Sequence, residues 1–342
     1  MNRVKNLLLK SANILSLEPL KRWSPVEVII PFHHLVSDSP VPYIEPLYGF
    51  KNTVQFEQDL DFLLQNFTPI SLTDIIAGIN NDRPLPSKSF LITFDDALKQ
   101  VYEVAMPILL KKGVPAALFI VPNFLDNKHL FYDLKKGLIL NRIEQHPPSN
   151  ALLQKIGTVI QQPGLTTNSL IHFLRSINYL NQNLTEDLGK LLEIDFDNFL
   201  RTEKPFMTTA QVQTFIKKGF SVGAHSMDHP LYRLISLEEQ IRQTEESLKW
   251  IADAFNLPYK AFAFTHVDTG VSSAFFDYIF NRSPIRPDII FGNTTGKLEQ
   301  HKRVLHRFIG ENPALPIETM VKSIMGYSAA NKLMGNQFVK RA

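Results

Sequence analysis

The sequence predicts an α/β fold in which a parallel sheet is covered by helices. Short apolar stretches rich in β-branched residues alternate with stretches whose apolar residues recur at helical spacing, which is the pattern of strand–helix–strand units. About seven such units favour a barrel over an open sheet, although the pattern is compatible with both. A stretch of about 80 residues interrupts this alternation and has little strand character, so we predict a mostly helical insertion at about 122–205.

The first half of the chain contains strands whose side chains are almost all apolar and helices with clear start or stop signals. Ser71 and Asp74 resemble a capping pair that opens one helix. Gly113 is expected to end another helix, because glycine tolerates the left-handed backbone that closes a helix. The predicted strands here are 26–32, 89–94 and 114–121, and the predicted helices are 53–67, the one opening at Ser71, and 98–112.

The second half resumes the alternation after the insertion. Thr208 with Gln211 and Ser236 with Glu239 fit capping boxes, each opening a helix. The predicted strands are 220–224, 260–265, 288–294 and 304–310, and the predicted helices are 208–218, 236–255, 272–281 and 314–326. We expect a barrel over 26–330, preceded by an N-terminal segment, 1–25, and followed by a C-terminal tail, 331–342.

Composition and charge exclude several classes of protein. The formal net charge is +3, and there is no long run of Lys or Arg, so nucleic acid is not an expected partner. The chain has no cysteine, so a metal ion would need His, Asp, Glu or water. No apolar run reaches the ~20 residues of a membrane span. The N-terminus resembles a signal peptide poorly, so a cytoplasmic protein is expected. For residues 1–20 a docking helix is favoured over a peripheral membrane contact.

Polar residues cluster where the predicted strands end. In parallel α/β folds, functional side chains gather just past the carboxyl ends of the strands. Several of the 10 histidines fall at these positions, which is the main functional signal in the sequence. The residues at the strand ends are His33 and His34, Asp95 and Asp96, His225 and His229, His266 and Asp268, and His306 and Arg307.

Two of these clusters suggest a metal site. The spacing of His225 and His229 would place both imidazoles on one side of a helical turn, although two exposed polar residues would give the same pattern. Adjacent carboxylates at Asp95 and Asp96 repel each other, and a helix N-terminus explains only one of them. A divalent cation held by Asp96, His225 and His229 would compensate the second charge. The remaining aspartate could then act as a general base toward a water molecule of this site.

These residues resemble the motifs of the polysaccharide deacetylase family, also called the NodB-homology or carbohydrate esterase family 4 group. TFDD (93–96) is similar to the first motif and HSMDHP (225–230) to the second. The resemblance implies a distorted (β/α) barrel of about seven strands. It assigns Asp95 as the catalytic base and Asp96, His225 and His229 as ligands of a divalent metal, for which zinc is the first choice from the ligand types.

The sequence departs from the family pattern at several points. Ala97 replaces the usual glycine after the aspartate pair, and this change is expected to matter little. The third motif lacks its usual Arg, Pro and Tyr, and no late Leu-x-His motif is found. His266 and His306 are therefore the candidates for the general acid. Arg307 could orient Asp95 by a charge-assisted hydrogen bond, although a surface ion pair is an equal alternative. Either His33 or His34 is expected to line the pocket floor.

Three functional hypotheses follow. The first is a metal-dependent hydrolase that removes acetyl groups from an N-acetylated sugar or glycan precursor, with Asp95, His266 and Arg307 as catalytic residues. The second is a catalytically impaired barrel that binds a carbohydrate or a partner. The third is a protein without metal, in which the two motifs are unrelated capping features and neither histidine approaches Asp96. The sequence leaves the oligomeric state open.

Overall fold

The computed structural model describes residues 16–341, and its framework is a set of short parallel strands. Their buried side chains explain the apolar stretches of the sequence. The strands are β1 Val28–Ile29, β2 Pro31–His33, β3 Thr68–Pro69, β4 Ser89–Phe90, β5 Ile92–Asp95, β6 Ala116–Ile120, β7 Ser221–Ala224, β8 Ala261–Ala263, β9 Ile289–Gly292, β10 Val304–His306 and β11 Phe308–Ile309.

The main sheet closes into a barrel. Its eight strands are parallel and lie in the order β10-β9-β8-β7-β6-β5-β2-β11. β10 pairs with β9, β11 pairs with β2, and only Arg307 separates β10 from β11. The segment 304–309 therefore contacts both edges of the sheet. Because two of the eight strands share one segment, the barrel has 8 − 1 = 7 strand positions, and the predicted (β/α)7-type barrel is confirmed.

The barrel is distorted at its first two strands. The predicted strand 26–32 is divided into β1 and β2, and the predicted strand 89–94 is divided into β4 and β5. β1 and β4 leave the barrel and form a separate three-stranded parallel sheet with β3, in the order β1-β4-β3. β3 was not predicted, because Thr68–Pro69 is too short to give a strand pattern.

The helices mostly begin where the capping signals place them. Ser71 with Asp74 and Thr208 with Gln211 form reciprocal capping boxes, whereas Ser236 accepts from the backbone N–H of Glu239 without a return bond. The helices are α1 Leu17–Trp23, α2 Thr53–Asn66, α3 Leu72–Asn80, α4 Met106–Lys112, α5 Tyr132–Gln145, α6 Asn150–Val159, α7 Thr167–Ser176, α8 Leu184–Leu191, α9 Phe196–Glu203, α10 Thr209–Lys217, α11 Leu237–Phe255, α12 Ser273–Asn281 and α13 Ile317–Leu333.

Two helices differ from the prediction in their form or limits. The helix expected over 98–112 contains a π-helical turn, Val101–Ala105, before α4, and it ends at Gly113 with φ +66° as expected. The last helix begins later and ends later than the predicted 314–326. None of the helices within residues 16–341 is both long enough and apolar enough to cross a membrane.

The insertion between β6 and β7 is helical, as predicted, and consists of α5 to α9. Its buried leucines, such as Leu153 and Leu170, share a hydrophobic core with Val41 and Ile44 from the loop after β2. Gly137 in α5 allows this close contact, because a Cβ atom there would lie only 1.9 Å from the carbonyl oxygen of Tyr43. The insertion is therefore fixed against the loop that borders one side of the barrel mouth.

Both ends of the described chain pack on the barrel. Leu20 of α1 is buried and lies close to Gly326 of α13, as expected for a docking helix, whereas the part of that prediction covering residues 1–15 lies outside the described residues. Near the C-terminus, Arg341 donates hydrogen bonds to the carboxylates of Asp268 and Glu299. Its guanidinium carbon also lies 4.5 Å from the centre of the Phe276 ring.

We expect Arg341→Met to destabilise the fold. The variant leaves the carboxylates of Asp268 and Glu299, which are 0% and 8% exposed, without their cation, and breaking a buried ion pair costs about 3–5 kcal/mol. Chemical denaturation measures the change. The control Arg282→Met breaks an exposed ion pair with Asp277, which contributes little to stability because solvent screens it. Equal stability losses in the two variants would contradict a structural role for Arg341.

Candidate active site

The polar residues at the strand ends converge at the carboxyl end of the barrel, as the rule for parallel strands predicts. Six of them line a pocket of about 810 Å³ between the barrel mouth, the loop after β2 and α5 of the insertion; these six are His34, Asp95, Asp96, His225, His229 and His266. Asp95 is the last residue of β5, and Asp96 follows it in a turn. His225 directly follows β7, and His229 lies four residues further on. Segments more than 100 residues apart therefore meet in one site.

Arg307 holds the carboxylate of Asp95 in place. The two terminal nitrogens of Arg307 donate to the two carboxylate oxygens of Asp95 at 2.7 and 2.9 Å. Arg307 is fully buried, and its guanidinium carbon lies 4.9 Å from the Phe32 ring centre and 5.2 Å from that of Phe119. This is a buried bidentate pair and not the surface ion pair considered from the sequence. It fixes the orientation of Asp95.

Asp96, His225 and His229 surround a common point. The Asp96 Oδ1 atom lies 3.3 Å from His229 Nε2 and 3.7 Å from His225 Nε2. Both histidines are therefore close to Asp96, and the hypothesis that the two motifs are unrelated capping features is wrong. One detail of the sequence analysis is also wrong, because His225 and His229 do not lie on a helical turn. A bent loop brings them together, and His229 has φ +57°.

Burial and like charges shape the protonation of this group. Burial raises the pKa of Asp96 to about 7, and the neighbouring Asp95 adds to this effect. Burial also lowers the pKa of His225 to about 4 and that of His229 well below its usual value. Burial alone would raise the pKa of Asp95, but the Arg307 guanidinium outweighs this effect and holds the pKa below the usual value. Both histidines are thus neutral at pH 7, as metal ligands must be.

The donor atoms fit a divalent metal. Asp96 Oδ1 is buried and has no hydrogen-bond partner among residues 16–341. His225 Nδ1 lies 2.8 Å from the carbonyl oxygen of Ala263, so Nδ1 carries the proton and Nε2 presents its lone pair toward Asp96. One ligand atom from each of Asp96, His225 and His229 lies within 4.8 Å of the others. Two imidazoles and a carboxylate are a usual donor set for a catalytic metal.

The sequence did not show whether His33 or His34 lines the pocket, and the structure places His34 there. His34 Nδ1 lies 2.7 Å from Glu311 Oε1, and Nε2 lies 4.0 Å from Asp96 Oδ2. Burial lowers the pKa of His34, but the Glu311 carboxylate outweighs this effect and raises the pKa to about 10. His33 points into the core, where its ring contacts Phe56. His34 follows the last residue of β2 and lines the pocket, whereas His33 does not.

The two candidates for the general acid lie in different places. His266 lines the pocket, with its Nε2 atom 3.1 Å from the hydroxyl oxygen of Tyr132 and 3.8 Å from Asp133 Oδ2. His306 lies outside the pocket lining, and its Nε2 atom is 3.2 Å from Glu299 Oε1. His306 belongs to the buried cluster with Glu299 that binds Arg341 near the C-terminus. The structure therefore brings His266, but not His306, to the other site residues.

Several residues of this site have a left-handed backbone. Left-handed φ angles occur at Asp96, Ala97, Ser226, His229 and His266, and such angles are costly for residues other than glycine. They persist where the surrounding structure holds them, and they cluster at functional sites. The value of +55° at Ala97 gives a physical reason for glycine at this position in the family motif.

Comparisons with known proteins agree with this architecture. Streptococcus pyogenes deacetylase PplD in complex with acetate matches with a TM-score of 0.53 and 15% identity, over 88% of this chain and 99% of its own. IcaB from Ammonifex degensii matches with a TM-score of 0.50 and 14% identity, and the match covers 90% of this chain and 98% of IcaB. BC0361, a polysaccharide deacetylase from Bacillus cereus, matches with a TM-score of 0.51 and 15% identity, and the match covers 87% of this chain and 69% of BC0361.

The similarity to these proteins is one of structure. No protein-family model matches the chain, and no curated protein sequence matches it. Sequence identities of 14–15% are too low to transfer an activity, but the matches cover most of the chain. The chain has the fold of the polysaccharide deacetylases.

Proposed function

We propose that this protein is a metal-dependent hydrolase that removes acetyl groups from an N-acetylated sugar or glycan precursor. The observation that carries the proposal is the placement of Asp95 beside the donor set formed by Asp96, His225 and His229. One carboxylate faces the two histidines, and the other is oriented by Arg307 with its Oδ2 atom 3.7 Å from His225 Nε2. A base next to a metal-ligand set is the arrangement that hydrolysis requires.

The reaction consumes one water molecule. Water adds to the acetyl carbonyl carbon, the C–N bond breaks, and acetate and a free amine are formed. Asp95 accepts a proton from the attacking water, and Arg307 keeps the carboxylate ionised and correctly oriented. A divalent metal held by Asp96, His225 and His229 would supply Lewis-acid polarisation of the carbonyl and would acidify the water. Zinc is our first choice, although these ligands also suit cobalt, nickel or manganese.

His34 is the proton donor that we assign to the departing amine. It lines the pocket, and Glu311 binds its Nδ1 atom while its Nε2 atom lies 4.0 Å from Asp96 Oδ2. A carboxylate behind an imidazole both orients the ring and stabilises its protonated form. His266, the donor expected from sequence, is already engaged with Tyr132 at the pocket wall. The geometry therefore favours His34 over His266 for this step.

The substrate class is supported by shape and by the structural neighbours. The pocket of about 810 Å³ has room for at least a sugar residue with its acetamido group. One structural neighbour is a polysaccharide deacetylase, and another is a deacetylase in complex with acetate, which is the product expected here. A sugar of a glycan precursor is the substrate that we propose.

Acetate release tests the proposal directly. The purified chain, loaded with zinc or cobalt, is incubated with an oligomer of N-acetylglucosamine, and acetate and free amine are both measured. We expect equal amounts of the two products and no reaction after removal of the metal by a chelator. Release of acetate that does not depend on metal would contradict the role of the donor set.

A barrel that only binds carbohydrate is the competing hypothesis. It predicts sugar binding without acetate release, and it gives no reason for a bidentate Arg307 beside Asp95. A binding protein would not need a carboxylate that is oriented and kept ionised inside the barrel. The Asp95–Arg307 pair therefore supports the enzyme over the binding protein.

We expect His34→Ala to separate proton donation from the rest of the reaction. Without an acid, cleavage of the amide should slow by about 10²- to 10⁴-fold. The same variant should keep most of its activity on 4-nitrophenyl acetate, because 4-nitrophenolate leaves without being protonated. His266→Ala is the comparison for the sequence-based candidate. An equal loss on amide and activated ester in His34→Ala would remove His34 as the acid.

A further inference from the structure

The two histidines of the donor set differ in how their outer nitrogens are satisfied. The Nδ1 atom of His225 donates to the carbonyl oxygen of Ala263 at 2.8 Å. The Nδ1 atom of His229 is buried and has no hydrogen-bond partner in the described part of the chain. A histidine that binds a metal through Nε2 carries its proton on Nδ1. A buried N–H without an acceptor is costly, so His229 requires one.

The carboxylate of Asp133 can supply this acceptor. Its Oδ2 atom lies 3.8 Å from His229 Nδ1, which is about 1 Å longer than a hydrogen bond. The other oxygen, Oδ1, is bound by the ammonium group of Lys136 one turn further along α5. Lys136 is itself buried and also donates to the carbonyl oxygen of Ile177. The carboxylate is thus held with one oxygen turned toward His229.

The packing of the insertion determines the position of Asp133. Asp133 lies in the first turn of α5, and α5 is held against the loop after β2 by the close approach at Gly137. The Phe131 ring packs on His229 with 5.0 Å between the ring centres. A part of the chain that lies outside the barrel therefore contacts a residue of the donor set and limits how its ring can turn.

We propose that Asp133 is a positioning residue that accepts the His229 Nδ1–H hydrogen bond when the metal is bound. It would fix the tautomer and the ring orientation of His229, as Ala263 does for His225. This inference rests on the metal site of the proposed function and extends it. It gives the insertion a role in metal affinity, in addition to its role as a wall of the pocket.

Metal titration of the full-length chain tests the proposal. Metal-free protein is titrated with zinc in competition with a chromophoric chelator, for the wild type, Asp133→Ala and Asp133→Asn. Loss of an outer-shell partner typically weakens metal affinity about 10- to 100-fold, and we expect this for Asp133→Ala. Asp133→Asn should lose less, because its amide oxygen still accepts an N–H. Glu186→Gln removes a carboxylate that pairs with Lys135 of α5 and should leave the affinity unchanged.

A second readout follows the Nδ1 proton of His229 directly. In the cobalt-loaded wild type, the Nδ1 proton of His229 should give a paramagnetically shifted, slowly exchanging NMR signal, and this signal should be missing in Asp133→Ala. Unchanged zinc affinity in Asp133→Ala, or a His229 proton that exchanges freely in the wild type, would overturn the inference and leave the proposed function intact. A wild-type chain that binds no metal would overturn the proposed function and this inference with it.

Discussion

Asp95→Asn is expected to lower kcat for deacetylation by about 10²- to 10⁴-fold, the usual range for loss of a general base. The amide of asparagine cannot accept the proton of the attacking water. Metal content should stay at the wild-type level, because Asp95 is not a member of the Asp96, His225 and His229 set. Acetate release and metal analysis on the same preparation measure the two effects.

The control for Asp95→Asn separates chemistry from stability. The single variant leaves the fully buried Arg307 without its carboxylate, and such an unpaired charge costs about 3–5 kcal/mol. The double variant Asp95→Asn with Arg307→Gln removes both charges, so it should recover much of the stability and none of the activity. An Asp95→Asn enzyme with full activity would exclude Asp95 as the base.

Asp96→Ala and His229→Ala are expected to abolish metal binding. Each variant removes one of the three proposed ligands. The metal affinity should therefore fall by more than the ~100-fold that is the upper range for loss of an outer-shell residue, and acetate release should fall to background. Asp96→Ala also removes a carboxylate that is crowded by Asp95, Asp133 and Glu311. We therefore expect the metal-free variant to be at least as stable as the metal-free wild type in thermal unfolding.

Asp228→Asn is the matched control for these ligand variants. Asp228 lies between the two histidines in sequence, but its carboxylate accepts hydrogen bonds from Asn123 and Gln243, and it is not among the residues that line the pocket. Metal affinity close to that of the wild type is expected. A loss as large as that of His229→Ala would mean that the loop, and not the imidazole, determines binding.

Much of the site could be predicted from the sequence because strand ends are easy to find in it. The apolar stretches before Asp95 and His225 identify β5 and β7, and parallel strands place their carboxyl ends together. That rule alone brings the aspartate pair and the histidines into one region. The sequence also offered Arg307 as a possible partner of Asp95, but only the structure shows that the residue between β10 and β11 reaches the end of β5.

The remaining features depend on tertiary contacts that no local pattern records. His33 and His34 are adjacent in the sequence, and only the folded structure shows that His34, just after β2, lines the pocket. Glu311, which orients His34, is 277 residues away in the chain. Asp133 lies in an insertion whose position relative to the barrel is set by packing with the loop after β2. The sequence analysis wrongly placed His225 and His229 on a helical turn, because the spacing of two histidines does not distinguish a helix from a bend.

The central claim is that Asp96, His225 and His229 together hold one divalent metal ion. Its most direct test is the metal stoichiometry of the purified chain after equilibration with zinc, measured by elemental mass spectrometry for the wild type and Asp96→Ala. The account predicts one tightly bound equivalent in the wild type and a strongly reduced amount in the variant. A wild type without bound metal, or a variant that keeps a full equivalent, would contradict it.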